Sequence, residues 1–286
     1  MEKRKLFCEY GPLFYRISLH KEYLVRDFRD MVSHERFCRR QNGDFPQIVR
    51  GHRSLMLRRL EGVDMCLQHG KINNLRLAAA KVDGLVVRPG ETFSFWRAIG
   101  PATAKNGYQP GLVIAFGKPS EDIGGGICQL ANLIHWMVLH SPLDVTELHH
   151  HTDSIFPDSG RRVPFGTGTS VFYKNVDYRF CNNTHQAVQL RVWLDGPDLC
   201  GELRAAERYP FRYRIEEYGH HYTLEADGYY RNSRIFKRTL GRENGETVAL
   251  QLVLDNHSKV LFDASLIPPD AIWQKENGPY LWEQVC

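Results

Sequence analysis

The stretch of sequence that decides the fold is residues 122–132, DIGGGICQLAN, where three consecutive glycines run into an apolar segment. Glycine loses more backbone entropy on folding than any other residue, so this run predicts strained dihedrals or a close approach of backbone to another part of the molecule. Residues 130–139 are apolar on nearly every face of a helix. Such a pattern is typical of a buried helix. We therefore predict one buried apolar helix that begins directly after a glycine-rich turn.

The segments around this helix alternate between strand-like and turn-like character from residue 71 to residue 203. Residues 204–286 read almost wholly as short strands, with Asn244-Gly245 as a tight hairpin turn and Asp255-Asn256 as a second turn. Strands outnumber helices, which favours an α+β class. The sequence predicts a mixed, strand-rich domain at 71–203 and a β-rich C-terminal extension at 204–286.

The first 70 residues have a different character, because they are basic. Residues 1–60 hold 14 Lys and Arg against 7 Asp and Glu, whereas the rest of the chain holds 23 against 26. Apolar residues recur at helical spacing between Leu24 and Val32, so we predict a basic helical region whose charged face is solvated. No nucleic-acid-binding motif accompanies the charge, so nucleic acid is not expected as a partner. A peripheral contact with an anionic membrane surface remains an alternative.

Composition limits the class of protein further. The seven cysteines are odd in number and scattered, with no CxxC pair, which argues against a disulfide framework and a structural zinc site. The mean hydropathy of -0.42 and the lack of a long apolar run exclude an ordinary membrane-spanning helix. Basic residues at positions 3–5 could open a secretory signal, but Glu9, Gly11 and Arg16 interrupt its apolar part. The expected compartment is a reduced cytoplasm.

Cys128 is predicted to lie in or next to the first turn of the buried helix. Unpaired N–H groups and the positive end of the helix dipole favour a thiolate there. The amides of Gly124, Gly125, Gly126 and Gln129 are candidates to hold the oxyanion that forms when a thiolate attacks a carbonyl. The alternative is that Cys128 is a small apolar filler and the glycines simply make a turn.

A nucleophilic cysteine needs a base, and the nearest histidine in sequence is His135. It follows Cys128 by two helical turns, about 10 Å, which is too far for a direct hydrogen bond. We therefore expect His135 to be a core or subsite residue.

Residues 145–152, VTELHHHT, read as a strand and supply better candidates. Alternation along a strand puts Glu147, His149 and His151 on one face. Two histidines and a carboxylate suit a thiolate–imidazolium pair with an orienting group. They equally suit zinc, with Cys128 and Glu147 or Asp153 as further ligands, and plain packing is a third interpretation. Arg161, just beyond this strand, is a candidate for a substrate carboxylate or is a solvated loop charge.

Several segments in order resemble the VanW family: KINNL at 71–75, PGETFSFW at 89–96, Gly107-Tyr108, GGGICQ at 124–129, ELHHH at 147–151 and DYRFCNNT at 177–184. The resemblance implies an accessory role in vancomycin resistance and peptidoglycan metabolism. Some secreted relatives with this domain are L,D-transpeptidases that act through a cysteine. Carried over, this makes Cys128 the nucleophile, His149 or His151 the base and the glycine turn the oxyanion site. The implied partner is a peptidoglycan precursor or stem peptide, with no cofactor.

The sequence departs from the family pattern at Gly168, which stands where the resemblance predicts an acidic residue. If that carboxylate orients the histidine in active relatives, two outcomes are open here: the protein is slow, altered or inactive, or Asp177 or Glu147 substitutes for the missing acid. Two alternatives to cysteine-dependent acyl transfer or hydrolysis therefore stay open. One is a non-catalytic binding module for a wall precursor or partner protein, and the other is a zinc-dependent hydrolase that uses His149 and His151.

Overall fold

The computed structural model describes residues 6–41, 43–57, 65–115, 118–150, 153–157 and 163–273. Their helices are α1 Pro12–Val32, α2 Met65–Val82, α3 Phe95–Ile99 and α4 Cys128–Leu139. Their strands are β1 Arg36–Phe37, β2 Arg39–Arg40, β3 Gln47–Leu55, β4 Leu85–Val87, β5 Glu91–Ser94, β6 Pro110–Ala115, β7 Lys118–Ile123, β8 Asp144–Glu147, β9 Asp153–Ser154, β10 Arg179–Cys181, β11 Val188–Asp195, β12 Asp198–Ala205, β13 Phe211–Glu225, β14 Gly228–Gly241 and β15 Thr247–Val260. The α+β, strand-rich class predicted from the sequence is confirmed.

Two sheets and the helices between them build the main core. The first sheet has the order β1-β5-β10-β8 and the second the order β2-β4-β11-β12-β3. In the first sheet Phe93 lies opposite Phe180, and their stacked rings have centroids 4.9 Å apart. Both side chains are fully buried. This aromatic pair fixes the register of the sheet that carries Glu147 and Arg179.

The buried helix α4 packs against β3 and β12. Leu130, Leu133, Ile134 and Met137 have almost no exposed surface, as the apolar run predicted. Gly201 on β12 allows the close approach, because a Cβ atom there would lie 2.9 Å from the Leu133 and Met137 side chains. The core therefore holds the N-terminus of α4, and Cys128 with it, in a fixed position.

The C-terminal strands form an antiparallel meander of β13, β14 and β15, with β9 added in parallel beside β15. The turn at Asn244-Gly245 between β14 and β15 is confirmed. The second turn, at Asp255-Asn256, is wrong, because β15 continues through these residues and pairs with Ser233 and Arg234. Buried Asn256 donates to the carbonyl of Arg231 at 3.1 Å, so its amide is satisfied inside the sheet.

Helix α1 lies against the first sheet by its charged side. Arg26 and Asp30 form ion pairs with the domain, whereas Leu24, Phe28 and Met31 face solvent. The prediction that the charged face is solvated is therefore wrong for Arg26 and Asp30, whereas Arg16, Lys21 and Arg29 are exposed as predicted. In the described ranges no helix is both long enough and apolar enough to cross a membrane.

Candidate functional site

The glycine turn before α4 has a backbone that other residues would strain. Gly124 and Gly126 have φ angles of 82° and 90°, which lie in the left-handed region that favours glycine. A Cβ atom at Gly126 would overlap the side chain of Lys71 on α2. The turn therefore requires glycine for two reasons. The φ angles disfavour other residues, and a Cβ atom at position 126 would occupy the space of the Lys71 side chain.

A second contact anchors this turn to the rest of the fold. The backbones of Gly111 and Gly125 touch, so a Cβ atom on either one would meet the other's main chain. Buried Asn74 donates from Nδ2 to the carbonyl of Gly125 at 3.0 Å and to that of Gln109 at 2.8 Å. The close backbone approach predicted from the glycine run is thus present, and hydrogen bonds from Asn74 of α2 hold it in place.

Cys128 is the first residue of α4 and its side chain is half-buried. Its Sγ donates to the carbonyl of Val171 at 3.9 Å. Burial raises the pKa of the Cys128 thiol above its ordinary value, and the opposing effects of backbone hydrogen bonds and the Lys71 charge are smaller. The predicted resting thiolate is therefore wrong, because the loss of solvent outweighs the helix terminus. Any nucleophilic role requires a base that takes the Sγ proton.

Most of the predicted oxyanion donors are already engaged. The amides of Gly124, Gly125 and Gln129 donate to main-chain carbonyls at 3.0 to 3.1 Å. The Gln129 side chain is also occupied, because its Nε2 donates to Ser54 Oγ on β3 at 2.7 Å. Within the described part of the chain, the amides of the turn that have no such bond are those of Gly126, Ile127 and Cys128. They are the amides of the turn that stay candidates to stabilise an oxyanion beside Cys128.

The histidine segment is not a continuous strand. Strand β8 ends at Glu147, so the strand predicted over 145–152 is too long, and His149 and His150 lie in the irregular segment that follows. The carbonyl of His149 accepts from the amide of Ser170 at 2.8 Å. The next residue, Val171, is the hydrogen-bond acceptor of Cys128. The segment of Ser170 and Val171 therefore bonds to the main chain of His149 on one side and to the Cys128 thiol on the other.

That segment is also attached to α4. The amide of Thr169 donates to Asn132 Oδ1 at 2.7 Å, one turn beyond Cys128. Gly168, the position at which the resemblance predicted an acid, lies immediately before this bond. The segment thus supplies main-chain groups, not a carboxylate, between Cys128 and the histidines.

The two described histidine rings have different partners. His149 is exposed, and its Nε2 lies 3.2 Å from Glu147 Oε1. His150 is half-buried, and its Nδ1 lies 2.8 Å from the carbonyl of Gly166. A carbonyl only accepts, so Nδ1 of His150 carries the proton and the neutral ring keeps its lone pair on Nε2. Neither ring is bonded to Cys128 in the described part of the chain.

Alternation along a strand does not apply to His149 and His150, because both lie beyond the end of β8. No sequence signal marks the end of β8, because residues 147–151 contain neither glycine nor proline. Of the other predicted residues, His151 and Arg161 lie outside the described part of the chain.

His135 lies in the core. Its side chain is fully buried, and Nδ1 is 3.3 Å from the hydroxyl of Tyr178. Burial lowers the pKa of His135 to about 3, so the ring is neutral at any ordinary pH.

Glu147 takes part in a charged cluster beneath α1. Arg26 of α1 donates to both of its carboxylate oxygens at 2.6 Å, and Arg179 Nε lies 3.5 Å away. Burial would raise the pKa of Glu147, but the hydrogen bonds from Arg26 and His149 outweigh burial and lower it to about 2. Glu147 is therefore ionised, and it is the carboxylate that contacts a histidine.

Asp177 has a different role from the one considered for it. Its buried carboxylate accepts from Ser94 Oγ at 2.6 Å, from the amide of Trp96 at 3.1 Å and from Arg179 Nε at 2.8 Å. In the described structure these contacts, with the Tyr178 amide, account for its hydrogen bonds, and none involves a histidine. Asp177 thus positions Arg179 and the start of α3.

A cleft of about 310 Å³ opens between α1 and this cluster. Its cationic walls include Arg26, Arg97, Lys174 and Arg179, and its aromatic walls are Trp96 and Tyr173. Asp30 of α1 pairs with Arg179 at 2.8 Å and with Arg97 at 3.3 Å. The sequence did not reveal this cleft, because its walls come from three segments that are distant in the chain, at residues 26–30, 94–100 and 173–179.

The geometry gives little support to the hypothesis of a zinc site. Among the residues that the structure describes, no three or more His, Cys, Asp or Glu side chains form a group that could hold a metal ion. The set considered from the sequence depended on His151, whose surroundings are not described.

Comparison with known proteins gives three findings. The family profile described as "VanW like protein" matches residues 70–204. The chain is 32% identical over 201 residues to "Vancomycin B-type resistance protein VanW" of Enterococcus faecalis (strain ATCC 700802 / V583), which covers 70% of this chain and 73% of that protein. It is 34% identical over 120 residues to "Uncharacterized protein YoaR" of Bacillus subtilis (strain 168), which covers 42% of this chain and 38% of that protein. No solved structure matches.

Proposed function

The chain belongs to the VanW family, and we propose that it is an accessory protein of vancomycin resistance that acts on a peptidoglycan-related peptide. The name of the Enterococcus faecalis relative supports the resistance role, since that protein aligns with 70% of this chain. Action on precursor peptides in the cytoplasm is part of the proposal. The described cysteines, at positions 8, 38, 128, 181 and 200, are unpaired, which is usual in a reducing compartment.

The reaction that we propose is acyl transfer through Cys128, with hydrolysis as the variant in which water is the acceptor. The observation that carries it is the segment of Ser170 and Val171, which bonds to the histidine segment on one side and to the Cys128 thiol on the other. A nucleophile, a histidine and free amides next to a glycine turn are the parts that such chemistry requires.

In the acylation step a histidine of 149–151 takes the Sγ proton while Sγ bonds to the peptide carbonyl carbon. The amides of Gly126, Ile127 and Cys128 stabilise the oxyanion. Its collapse breaks the C–N bond, and the imidazolium returns the proton to the leaving amine. In the second step an acceptor amine attacks the thioester, gives its proton to the histidine and releases the Cys128 thiol. The high pKa of the resting thiol makes this base indispensable.

The base is one of three neighbours. His149 has the carboxylate of Glu147 as its partner, whereas His150 has the Gly166 carbonyl at Nδ1 and Nε2 as acceptor. His151 stays a prediction from the sequence. Each is to be replaced by Gln in turn, and the base is the residue whose loss abolishes the acyl-enzyme at pH 7.

The deciding experiment is intact-protein mass spectrometry with a stem tetrapeptide and a stem pentapeptide. We expect an acyl adduct on the wild-type chain that disappears in Cys128→Ala. Cys181→Ala is the matched control, since Cys181 is a second half-buried, unpaired cysteine on β10. Absence of both adduct and turnover in the wild-type chain would overturn the acyl-transfer proposal.

The second candidate is a binding module without catalysis. The observation that favours it is the cleft beside α1, whose Trp96 and Tyr173 offer apolar walls. Its arginines and lysine are paired with carboxylates of the chain, so a peptide carboxylate binds there in competition with these pairs. For a binding module we expect calorimetry to show that the wild-type chain binds the stem peptide. The affinity should be unchanged in Cys128→Ala and weaker in Arg97→Gln, and mass spectrometry should find no adduct.

A further inference from the structure

The outer face of α1 carries an apolar stripe, which is interrupted at one turn by the exposed His20 and Lys21. Leu13, Ile17, Leu24, Phe28 and Met31 are between 48% and 70% exposed. At 3.6 residues per turn these five positions fall within roughly 60° of one another around the helix axis. Exposed apolar residues are ordinary when they are scattered singly, but a set aligned along one side of a helix marks an interaction surface.

The helix cannot hide this stripe by turning about its axis, because its other side is fixed. Arg26 pairs with Glu147 and Lys174 pairs with Asp27, while the ring of Tyr23 packs edge-on against Tyr173 at 5.4 Å. The residues of α1 that make these contacts lie on a different side of the helix from the apolar stripe. The apolar face is therefore presented outwards by the fold.

The stripe continues into the residues before α1. Phe7 and Tyr10 pack against Phe14, with ring centroids 5.0 and 6.2 Å away, and all three side chains are exposed. The sequence directly before them is Lys3, Arg4 and Lys5. An aromatic end next to consecutive basic residues is the composition of segments that lie in a membrane interface.

The charges of α1 add to this asymmetry. Of its three acidic residues, Asp27 and Asp30 are paired with Lys174 and Arg179 of the domain, and Glu22 is paired with Lys21 at the surface. Arg16, Lys21 and Arg29 are exposed. The outward potential is thus positive, and long basic side chains at the rim of an apolar stripe can reach lipid headgroups.

We infer that this face of α1 docks onto the surface of an anionic lipid bilayer, with the stripe buried at the headgroup boundary and the exposed Arg16 and Arg29 near the lipid phosphates. A second copy of the chain suits the surface less well, because it would present the same exposed basic side chains, whereas an anionic lipid surface complements them. The docking is independent of the chemistry proposed for Cys128.

Flotation of the full chain with vesicles tests the inference. Vesicles of phosphatidylglycerol and phosphatidylcholine in equal parts should bind the wild-type chain, and pure phosphatidylcholine should bind it less. The double variant Leu24→Glu/Phe28→Glu should lose about tenfold or more in partitioning, because two large apolar side chains no longer enter the interface. High salt should weaken binding by screening the basic side chains.

The matched control is Leu224→Glu/Leu266→Glu, which adds the same two charges at leucines that are 65% and 52% exposed elsewhere. It should bind as the wild type does. Equal loss in both variants, or no binding of the wild-type chain to anionic vesicles, would overturn the inference. So would a concentration-dependent dimer that Leu24→Glu/Phe28→Glu dissociates without any vesicle binding, since the stripe would then join two copies.

Discussion

Arg26 on α1 and Glu147 at the end of β8 form a two-fold ion pair, with both N–O distances at 2.6 Å. The two residues are 121 positions apart in the chain, and their side chains are only 17% and 19% exposed. This pair joins the N-terminal helix to the sheet that leads into the histidine segment. Because the same carboxylate contacts His149, the position of α1 and the orientation of a candidate base are coupled.

Replacing Glu147 by Gln should destabilise the protein by about 1 to 3 kcal/mol, because Arg26 is left largely buried without its counter-charge. Chemical denaturation at pH 7 measures the free energy of unfolding. The control is Glu22→Gln, which removes a pair with Lys21 at the surface and should cost at most about 0.5 kcal/mol. Equal effects of the two variants would contradict the importance of the Arg26–Glu147 pair.

The same ion pair predicts a loss of stability in acid. The folded pKa of Glu147 is about 2, below its ordinary value of 4.5. A carboxyl whose pKa is depressed by folding contributes stability above its unfolded pKa and loses it as the pH falls towards the folded pKa. The wild-type chain should therefore lose stability between pH 4.5 and pH 2 more steeply than Glu147→Gln does. Parallel denaturation curves for both proteins over this range would refute the coupling.

Gly126→Ala should destabilise the protein by about 2 to 4 kcal/mol and abolish any chemistry at Cys128. Alanine is strained at a φ of 90°, and its Cβ atom would overlap Lys71. Gly245→Ala is the matched control, since its φ is 72° and nothing lies within 4 Å of the added atom. Its cost should be that of the backbone alone, about 1 kcal/mol.

A double-mutant cycle isolates the contact between Gly126 and Lys71. If overlap is part of the cost, Lys71→Ala should cost less in the Gly126→Ala background than in the wild type, since it makes room for the new Cβ atom. Thermal denaturation of the four proteins provides the measurement. Additive losses would assign the whole effect of Gly126→Ala to backbone strain.

The sequence pattern predicted those elements of the fold that are determined by neighbouring residues. Helix α4 and its glycine turn were predictable, because an all-round apolar run must be buried and three glycines must serve a close approach. The turn at Asp255-Asn256 was not, since pairing with β14 keeps these turn-forming residues in a strand. The orientation of α1 was inverted, because ion pairs to residues more than a hundred positions away draw its charged side inwards.

The candidate site, like the fold, could be predicted from the sequence only in part. The location of Cys128 at the start of a helix follows from the sequence, but its protonation state does not. Helix-terminus effects are local, whereas desolvation depends on the segment around Val171, 43 residues further on. The choice among the three histidines stays a prediction for a related reason, since only the tertiary fold determines that β8 ends at Glu147.

The protonation state of Cys128 leads to the last prediction. Because burial raises the pKa of this thiol, alkylation by iodoacetamide should be slow at pH 7 and should accelerate with pH to beyond the range of an ordinary cysteine. Lys71→Met should shift the profile further upwards, since the Lys71 charge favours the thiolate. Mass spectrometry follows the labelling of the wild-type and Cys128→Ala chains. The difference between their labelling rates is the rate at which Cys128 reacts. A Cys128 that reacts fully at pH 6 would show that the helix terminus, and not desolvation, governs the thiol.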